Sequence, residues 1–518
     1  MNRFLRSTIA LSLLLVSSAL AEVSLPRVFT DHMVLQRDAK IPVWGWANSG
    51  ETVTVTIAGQ SHTATTGTDG SWRVALGPIA YSPDAAPLEM TVAGEGNTIT
   101  LSDILIGEVW VCSGQSNMEW TVRNSRDPDQ EIAAAKHPKI RLFNVSPKKR
   151  PSTQPVNDVE AEWQVCSPET VTNFSAVGYY FGRHLQKELG GIPIGLINVA
   201  WGGMPAEAFT PIETLQSNPA LFGILEKWNQ RMKQFPAILA DYEHKLAEWE
   251  KLAKAAEAKG EKAPTKPNRP VGPGNPSAPA ALWNGMIHPV APYGIRGAIW
   301  YQGETNASSV ERAIEYRDLM PAMISAWRER WGQGDFTFLI VQLANYMEPA
   351  SQPAETNSTW ALLREAQAMT LERLPNTGLA VIIDIGEAKD IHPKNKQDVG
   401  RRLGLAAEKI AYRRHVVHSG PTYKGMAVEG RMAVIAFDHV GGGLTVKGDK
   451  LAGFAIRGEN GAWHAAEAQI SDDHGHVMVS SPAVERPSAV RYGWANNPPA
   501  TLYNAEGLPA GPFRTDRD

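Results

Sequence analysis

A serine follows an apolar run in Val111-Cys112-Ser113-Gly114-Gln115-Ser116-Asn117-Met118-Glu119-Trp120. A hydroxyl held beside a glycine on a sharp strand-to-loop turn is placed to attack, although a loop serine more often serves a turn or a cap. At its free pKa a hydroxyl is a poor nucleophile. It needs a neutral imidazole as base and a carboxylate to fix the imidazole's tautomer. Asp390-Ile391-His392-Pro393 supplies both, and the order serine, acid, histidine is one that triads use. His392 fits the base and Asp390 the acid.

An acyl-transfer site also needs donors for the oxyanion. Ala200-Trp201-Gly202-Gly203 ends in glycines that allow close approach of a backbone N–H. Trp300-Tyr301-Gln302-Gly303-Glu304-Thr305-Asn306 offers the side-chain amides of Gln302 and Asn306. Four segments would have to converge.

Strand ends of an open parallel sheet are where such groups gather. From about Leu101 the chain alternates apolar strands with helical stretches: strands at Val109–Cys112, Pro193–Ala200, Gly297–Tyr301, Phe338–Leu343 and Leu379–Asp384. The helices fall near 174–188, 310–331, 360–371 and 398–413, and the alternation predicts a parallel sheet covered on both faces. Residues 22–100 alternate with period two between turn signals, as in Val53, Val55 and Ile57, which predicts an N-terminal β-sandwich. Residues 416–518 return to short strands and predict a C-terminal β-domain. The α/β part, 101–415, carries an insertion at about 215–280: a helical stretch rich in Ala, Glu, Lys and Leu, then a Pro-rich linker.

The first 21 residues carry Arg3 and Arg6, an apolar run from Ile9 to Val16, and Ala19-Leu20-Ala21. The run is too short to span a bilayer, and the pattern is that of a signal peptide cleaved before Glu22. The expected location is periplasmic or secreted. With 518 residues, 43% hydrophobic and net charge −4, the chain has the composition of a multi-domain globular protein. No basic patch points to nucleic acid or to a membrane surface, and no obligate protein partner is evident. Two cysteines, Cys112 and Cys166, exclude a disulfide scaffold and a four-cysteine metal site; they could pair in an oxidising compartment or stay separate. His184 and His288 show no metal-ligand spacing, so no metal and no cofactor is expected.

These motifs together resemble the sialate O-acetylesterases, a family of SGNH-type serine hydrolases. The matching segments include Gly114-Gln115-Ser116-Asn117-Met118, Cys166-Ser167-Pro168-Glu169-Thr170, Trp201-Gly202-Gly203, the 300–306 segment, Asp390-Ile391-His392-Pro393 and Arg491-Tyr492-Gly493-Trp494-Ala495-Asn496-Asn497. The resemblance implies an SGNH-like α/β hydrolase domain flanked by N- and C-terminal β-domains. It implies Ser116 as nucleophile, His392 as base, and the N–H groups of Ser116 and of Gly202 or Gly203 at the oxyanion. Lys389 stands three residues before His392, where the broader pattern has the acid, so Asp384 is a reserve candidate beside Asp390. The usual Gly-x-Asn-Asp block is replaced, which leaves Gln302 and Asn306 as alternative side-chain donors.

Gln115, Glu119 and Arg364 are candidate substrate contacts. Glu119 could equally cap the turn, and Arg364 could hold a sugar carboxylate or a surface ion pair. Trp494 and Tyr503 could stack on a sugar or be buried between domains. The resulting expectation is a serine esterase that removes O-acetyl groups from sialic acids through an acetyl-enzyme. An acetylxylan or other carbohydrate acetylesterase is the alternative substrate reading, and a non-catalytic glycan-binding protein the alternative class. A glycosidase would need a carboxylate pair that is not evident.

Overall fold

The structure, a computed structural model, describes residues 22–351, 354 and 357–516. The expected signal peptide lies outside the described residues.

The centre is a mixed sheet of seven strands. In spatial order they are Thr377–Ala380, Thr337–Val341, Gly297–Tyr301, Thr98–Gly114, Ile194–Ala200, His137–Asn144 and Trp163–Cys166. All neighbours pair in parallel except Trp163–Cys166, which runs antiparallel at the edge. Successive residues of a strand point to opposite faces, and here both faces are apolar. Val109, Val111, Ala298 and Trp300 join a core with Trp327 and Leu363, while Trp110, Cys112, Ile299 and Tyr301 join a second with Leu185 and Leu403. Helices Val310–Trp331 and Thr359–Arg373 therefore cover one face, and Ala176–Glu188 and Lys396–Ile410 the other.

Strand Thr98–Gly114 has 17 residues and serves two layers. Its first part pairs antiparallel with Leu88–Ala93 of the N-terminal strands, and Leu105–Gly107 pairs in parallel with Val34–Gln36. Its last part lies between Ile194–Ala200 and Gly297–Tyr301. The boundary expected near residue 100 thus falls inside one continuous strand.

The insertion holds a 37-residue helix, Phe222–Ala258, with few buried residues. The Pro-rich segment returns along it: Trp249 donates its indole N–H to Pro264 O at 2.7 Å, and Lys266 lies 5.2 Å from the Trp249 ring. At the C-terminus, two four-stranded sheets enclose a core of their own around Ile435, Ile456, Val477, Val490 and Phe513. Trp494 and Tyr503 are both buried, so neither offers a face to a sugar. Cys112 and Cys166 are buried and unpaired, and burial pushes both thiols well up.

Candidate active site

The strand Thr98–Gly114 ends at Gly114, whose φ of +139° and position against Tyr301 exclude a side chain: a Cβ there would lie 2.1 Å from Tyr301 O. The chain turns sharply. Gln115 takes an extended conformation, and a four-residue helix, Ser116–Glu119, begins with the serine as its first residue. Ser116 Oγ lies 2.8 Å from His392 Nε2. The imidazole comes from the loop between Thr377–Ala380 and Lys396–Ile410, and Trp120 stacks on it.

Asp390 accepts the His392 backbone N–H at 2.9 Å, and its Oδ1 stands 3.5 Å from His392 Nδ1. The loop thus curls as an Asx turn that brings acid and ring together. Asp384 is committed elsewhere. Its two oxygens accept from Arg402 at 2.6 and 2.8 Å, and the guanidinium holds its carboxyl below the usual range against the opposing effect of burial. Of the two acids, Asp390 alone stands at the imidazole.

Gly202 packs against Ser116, since a Cβ on it would lie 3.2 Å from Ser116 Cβ. Its N–H, however, donates to Glu119 Oε2 at 2.6 Å, and Glu119 Oε1 accepts from Lys149. Glu119 therefore brackets the loop that carries Gly202. Among the described residues the N–H groups of Ser116 and of Gly203 have no acceptor within hydrogen-bond distance.

The side-chain donors read differently from expectation. Gln302 Nε2 donates to Asn306 Oδ1 at 2.6 Å and to Met204 O, while its Oε1 accepts from Tyr316. Asn306 Nδ2 donates to Glu207 at 3.1 Å. Both amides are buried and help to hold the 300–306 and 204–207 loops together; Gln302 Nε2 has both its N–H groups engaged, and Asn306 Nδ2 has one engaged, with Glu207. Gln115 likewise turns its Oε1 inward, toward the Gly303 and Thr305 N–H groups at 3.4 and 3.3 Å.

Arg364 is a correction. It is fully buried and donates to Leu343 O, Ala344 O, Ala495 O and Asn496 O at 2.8–2.9 Å. It is neither a sugar ligand nor a surface ion pair. A guanidinium with five fixed donors is suited to gather several carbonyls, and here it clasps the C-terminal unit to the α/β core.

Three residues escaped the sequence reading. Asn117 donates to Glu304 Oε1 at 2.6 Å and to Ile391 O at 3.0 Å, and accepts from Lys396 Nζ. Lys396 is fully buried, and burial pushes its ammonium down to about 7 against the pull of Glu304, Asp390 and Glu387. Glu304, also buried, is raised by desolvation, and among the described residues its Oε2 has no hydrogen-bond partner. The helix expected from Asp398 starts two residues earlier because Asn395 accepts the Asp398 N–H as its cap. That earlier start puts Lys396 at the first helical position. The Pro-Lys-Asn-Lys run gave no sign that the second lysine is buried.

His392 is held below the usual imidazole range, first by burial, then by the Lys396 charge, with Asp390 opposing both. Among the described residues no cluster of three or more His, Cys, Asp or Glu side chains is placed to hold a metal ion, and no helix is long and apolar enough to cross a membrane.

A serine, an imidazole and a carboxylate gathered at the carboxyl edge of a helix-covered sheet are the constellation of an α/β serine hydrolase. The profile of the carbohydrate esterases described as sialic acid-specific acetylesterases matches residues 106–252 and 280–408. The chain belongs to that family. A sialate O-acetylesterase of Rattus norvegicus is 28% identical over 522 residues, covering 93% of this chain and 92% of the relative. That of Homo sapiens is 29% identical over 76% of this chain and 72% of the relative. A crystal structure of a carbohydrate acetylesterase from Xanthomonas citri, 38% identical, superposes with TM-score 0.79 over 96% of this chain and all of that one.

Proposed function

We propose that the chain is an exported serine esterase that removes O-acetyl groups from sialic acids through an acetyl-enzyme. Ser116 attacks the acetyl carbonyl as His392 Nε2 takes its proton. The imidazolium, oriented by Asp390, then protonates the leaving sugar alkoxide. Water repeats the cycle and releases acetate. The Ser116 and Gly203 N–H groups receive the oxyanion. The observation that carries this reading is the 2.8 Å contact between Ser116 Oγ and His392 Nε2, made across 276 residues of chain.

The substrate reading is supported by the family profile and by the rat and human relatives, which are named as sialate O-acetylesterases. A wider carbohydrate acetylesterase activity is favoured by one observation: the 38% identical structure is named for carbohydrate acetyl esters in general. Export is supported by the Arg3 and Arg6 flank, the apolar run and the Ala19-Leu20-Ala21 site.

The test measures acetate release from O-acetylated sialic acid and from acetylated xylan, with wild type and Ser116→Ala. The expected result is turnover of the sialate ester and a loss of at least about 10³-fold in the variant. A fully active, folded Ser116→Ala protein would overturn the site. Turnover of xylan alone would move the substrate to the wider class. A secreted product whose first residue is not Glu22 would overturn the cleavage site.

A further inference from the structure

The Lys396 ammonium is fully buried beneath the site, and among the described residues it makes no ion pair within 4 Å. Its recorded hydrogen bond goes to Asn117 Oδ1, and the rings of Tyr301 and Trp120 face it at 5.1 and 6.0 Å. A buried amine held this way is costly, and an apolar side chain of similar length would fill the space at less expense. Its position argues for a use. Asn117 follows Ser116 in the chain, and its amide also holds Ile391 O, the carbonyl immediately before His392. One amide thus ties the nucleophile turn to the imidazole loop, and Lys396 anchors that amide from below.

We propose that Lys396 is a positioning residue: through Asn117 it sets the Ser116 turn and the His392 loop in one register, and its charge keeps the imidazole neutral. The inference rests on Ser116 and His392 being nucleophile and base. The groups facing Lys396 are Glu304 and Tyr301 from the Gly297–Tyr301 strand and its following loop, Glu387 and Asp390 from the imidazole loop, and Trp120. Those facing His392 are Lys396, Asp390, Ser116 and Trp120.

The direction follows from electrostatics. Burial and the Lys396 charge both disfavour the imidazolium, and Asp390 favours it; burial leads, and the ring is held low. As pH falls, the lysine takes the first proton and its charge keeps the second off the imidazole. His392 stays a competent base to lower pH. When it does carry the proton taken from Ser116, the nearby ammonium makes it a stronger acid toward the leaving alkoxide.

The experiment compares kcat/KM against pH on p-nitrophenyl acetate for wild type, Lys396→Gln, Lys396→Arg and Ser116→Ala. Glutamine retains a donor for Asn117 without the charge; arginine retains the charge. Lys396→Gln is expected to move the acidic limb up by about one pH unit, so that its deficit at pH 6 is about threefold larger than at pH 8 and approaches about tenfold only well below both limbs. Lys396→Arg is expected to keep the wild-type limb, with KM little changed. A limb unmoved in Lys396→Gln, with Ser116→Ala inactive, overturns the role of Lys396 alone. An active Ser116→Ala overturns the underlying site instead. If Lys396→Gln does not fold, histidine NMR on the wild type decides: a His392 signal, assigned by its absence in His392→Ala, that titrates at or above about 6.5 overturns the proposal.

Discussion

The Trp120 indole lies nearly parallel to the His392 imidazole, with ring centroids 4.7 Å apart and planes 13° apart. Trp120 follows the short helix that begins with Ser116, and its own indole N–H is fixed to Asn124 O at 2.7 Å. The segment that presents the hydroxyl therefore also presents a flat wall that sets the plane of the base. Trp120→Leu keeps an apolar contact without the wall. Its kcat is expected to fall about tenfold with little change in thermal stability, as expected when loss of orientation costs rate rather than folding. Kinetics with a parallel melting curve would check this.

The two aspartates before His392 have separate tasks. Asp390→Asn removes the charge that orients and supports the imidazole, and turnover is expected to drop by about two to four orders of magnitude in a folded protein. Asp384→Asn breaks a buried pair with Arg402, which is expected to cost about 3–5 kcal/mol of stability while the folded fraction turns over normally. Urea unfolding and active-site titration together separate the two outcomes. The reverse pattern would exchange the roles.

Glu119 binds the Gly202 N–H and is itself held by Lys149. If that bracket orders the loop that carries the Gly203 donor, Glu119→Ala lowers kcat by about ten- to a hundredfold with KM nearly constant. A faster Glu119→Ala enzyme would mean that the carboxylate covers a donor the reaction needs.

Arg364→Leu takes the guanidinium from four carbonyls at the seam between the α/β core and the C-terminal unit; Ala344 O and Asn496 O keep the Trp360 indole and the Tyr346 N–H as donors, while the buried Leu343 O and Ala495 O lose theirs. A loss of about 3 kcal/mol or more is expected, with KM for the acetyl ester unchanged in the folded fraction. A selective rise in KM for acidic sugars would restore the role expected from sequence.

His418, in the connection to the C-terminal strands, is held down to about 4, first by burial and then by His439 and Lys409. An unfolded histidine takes its proton near 6.5, so the unfolded state binds more protons between the two values. Stability is therefore complete above about pH 6.5 and is lost as pH falls toward about 4. Melting temperature measured across that window should fall less steeply in His418→Gln than in wild type.

The alternation of strands and helices was legible where strands are apolar on both faces, as in Val109 to Cys112 and Gly297–Tyr301, and not at His137–Asn144, whose Lys139, Arg141 and Asn144 interrupt the apolar run. That Ser116, Asp390 and His392 meet was legible because a serine, an acid and a histidine in that order are particular residue types that such a site requires. Arg364, Gln302 and Lys396 were not. A cation or amide on a predicted helix or loop reads as solvated, and only the assembled fold shows that its partners are carbonyls and amides more than 100 residues away or on a facing loop. The strand at 379–384 ends at Ala380, and the following residues leave the sheet, with Val381 O accepting from Arg402. That departure carries Asp384 to Arg402, which the apolar run could not reveal.

The strand Thr98–Gly114 gives the protein a rigid axle. One end is gripped by the N-terminal strands, and the other carries the turn on which Ser116 sits. A proteolytic cut or a truncation near residue 100 would strip the first half of the axle of its neighbours, Leu88–Ala93 and Val34–Gln36, and leave the half that carries the reactive turn flanked by Ile194–Ala200 and Gly297–Tyr301. Amide protons along the whole axle should then exchange as one cooperative unit. Destabilising the N-terminal layer, far from any acetyl group, would loosen the nucleophile along with it.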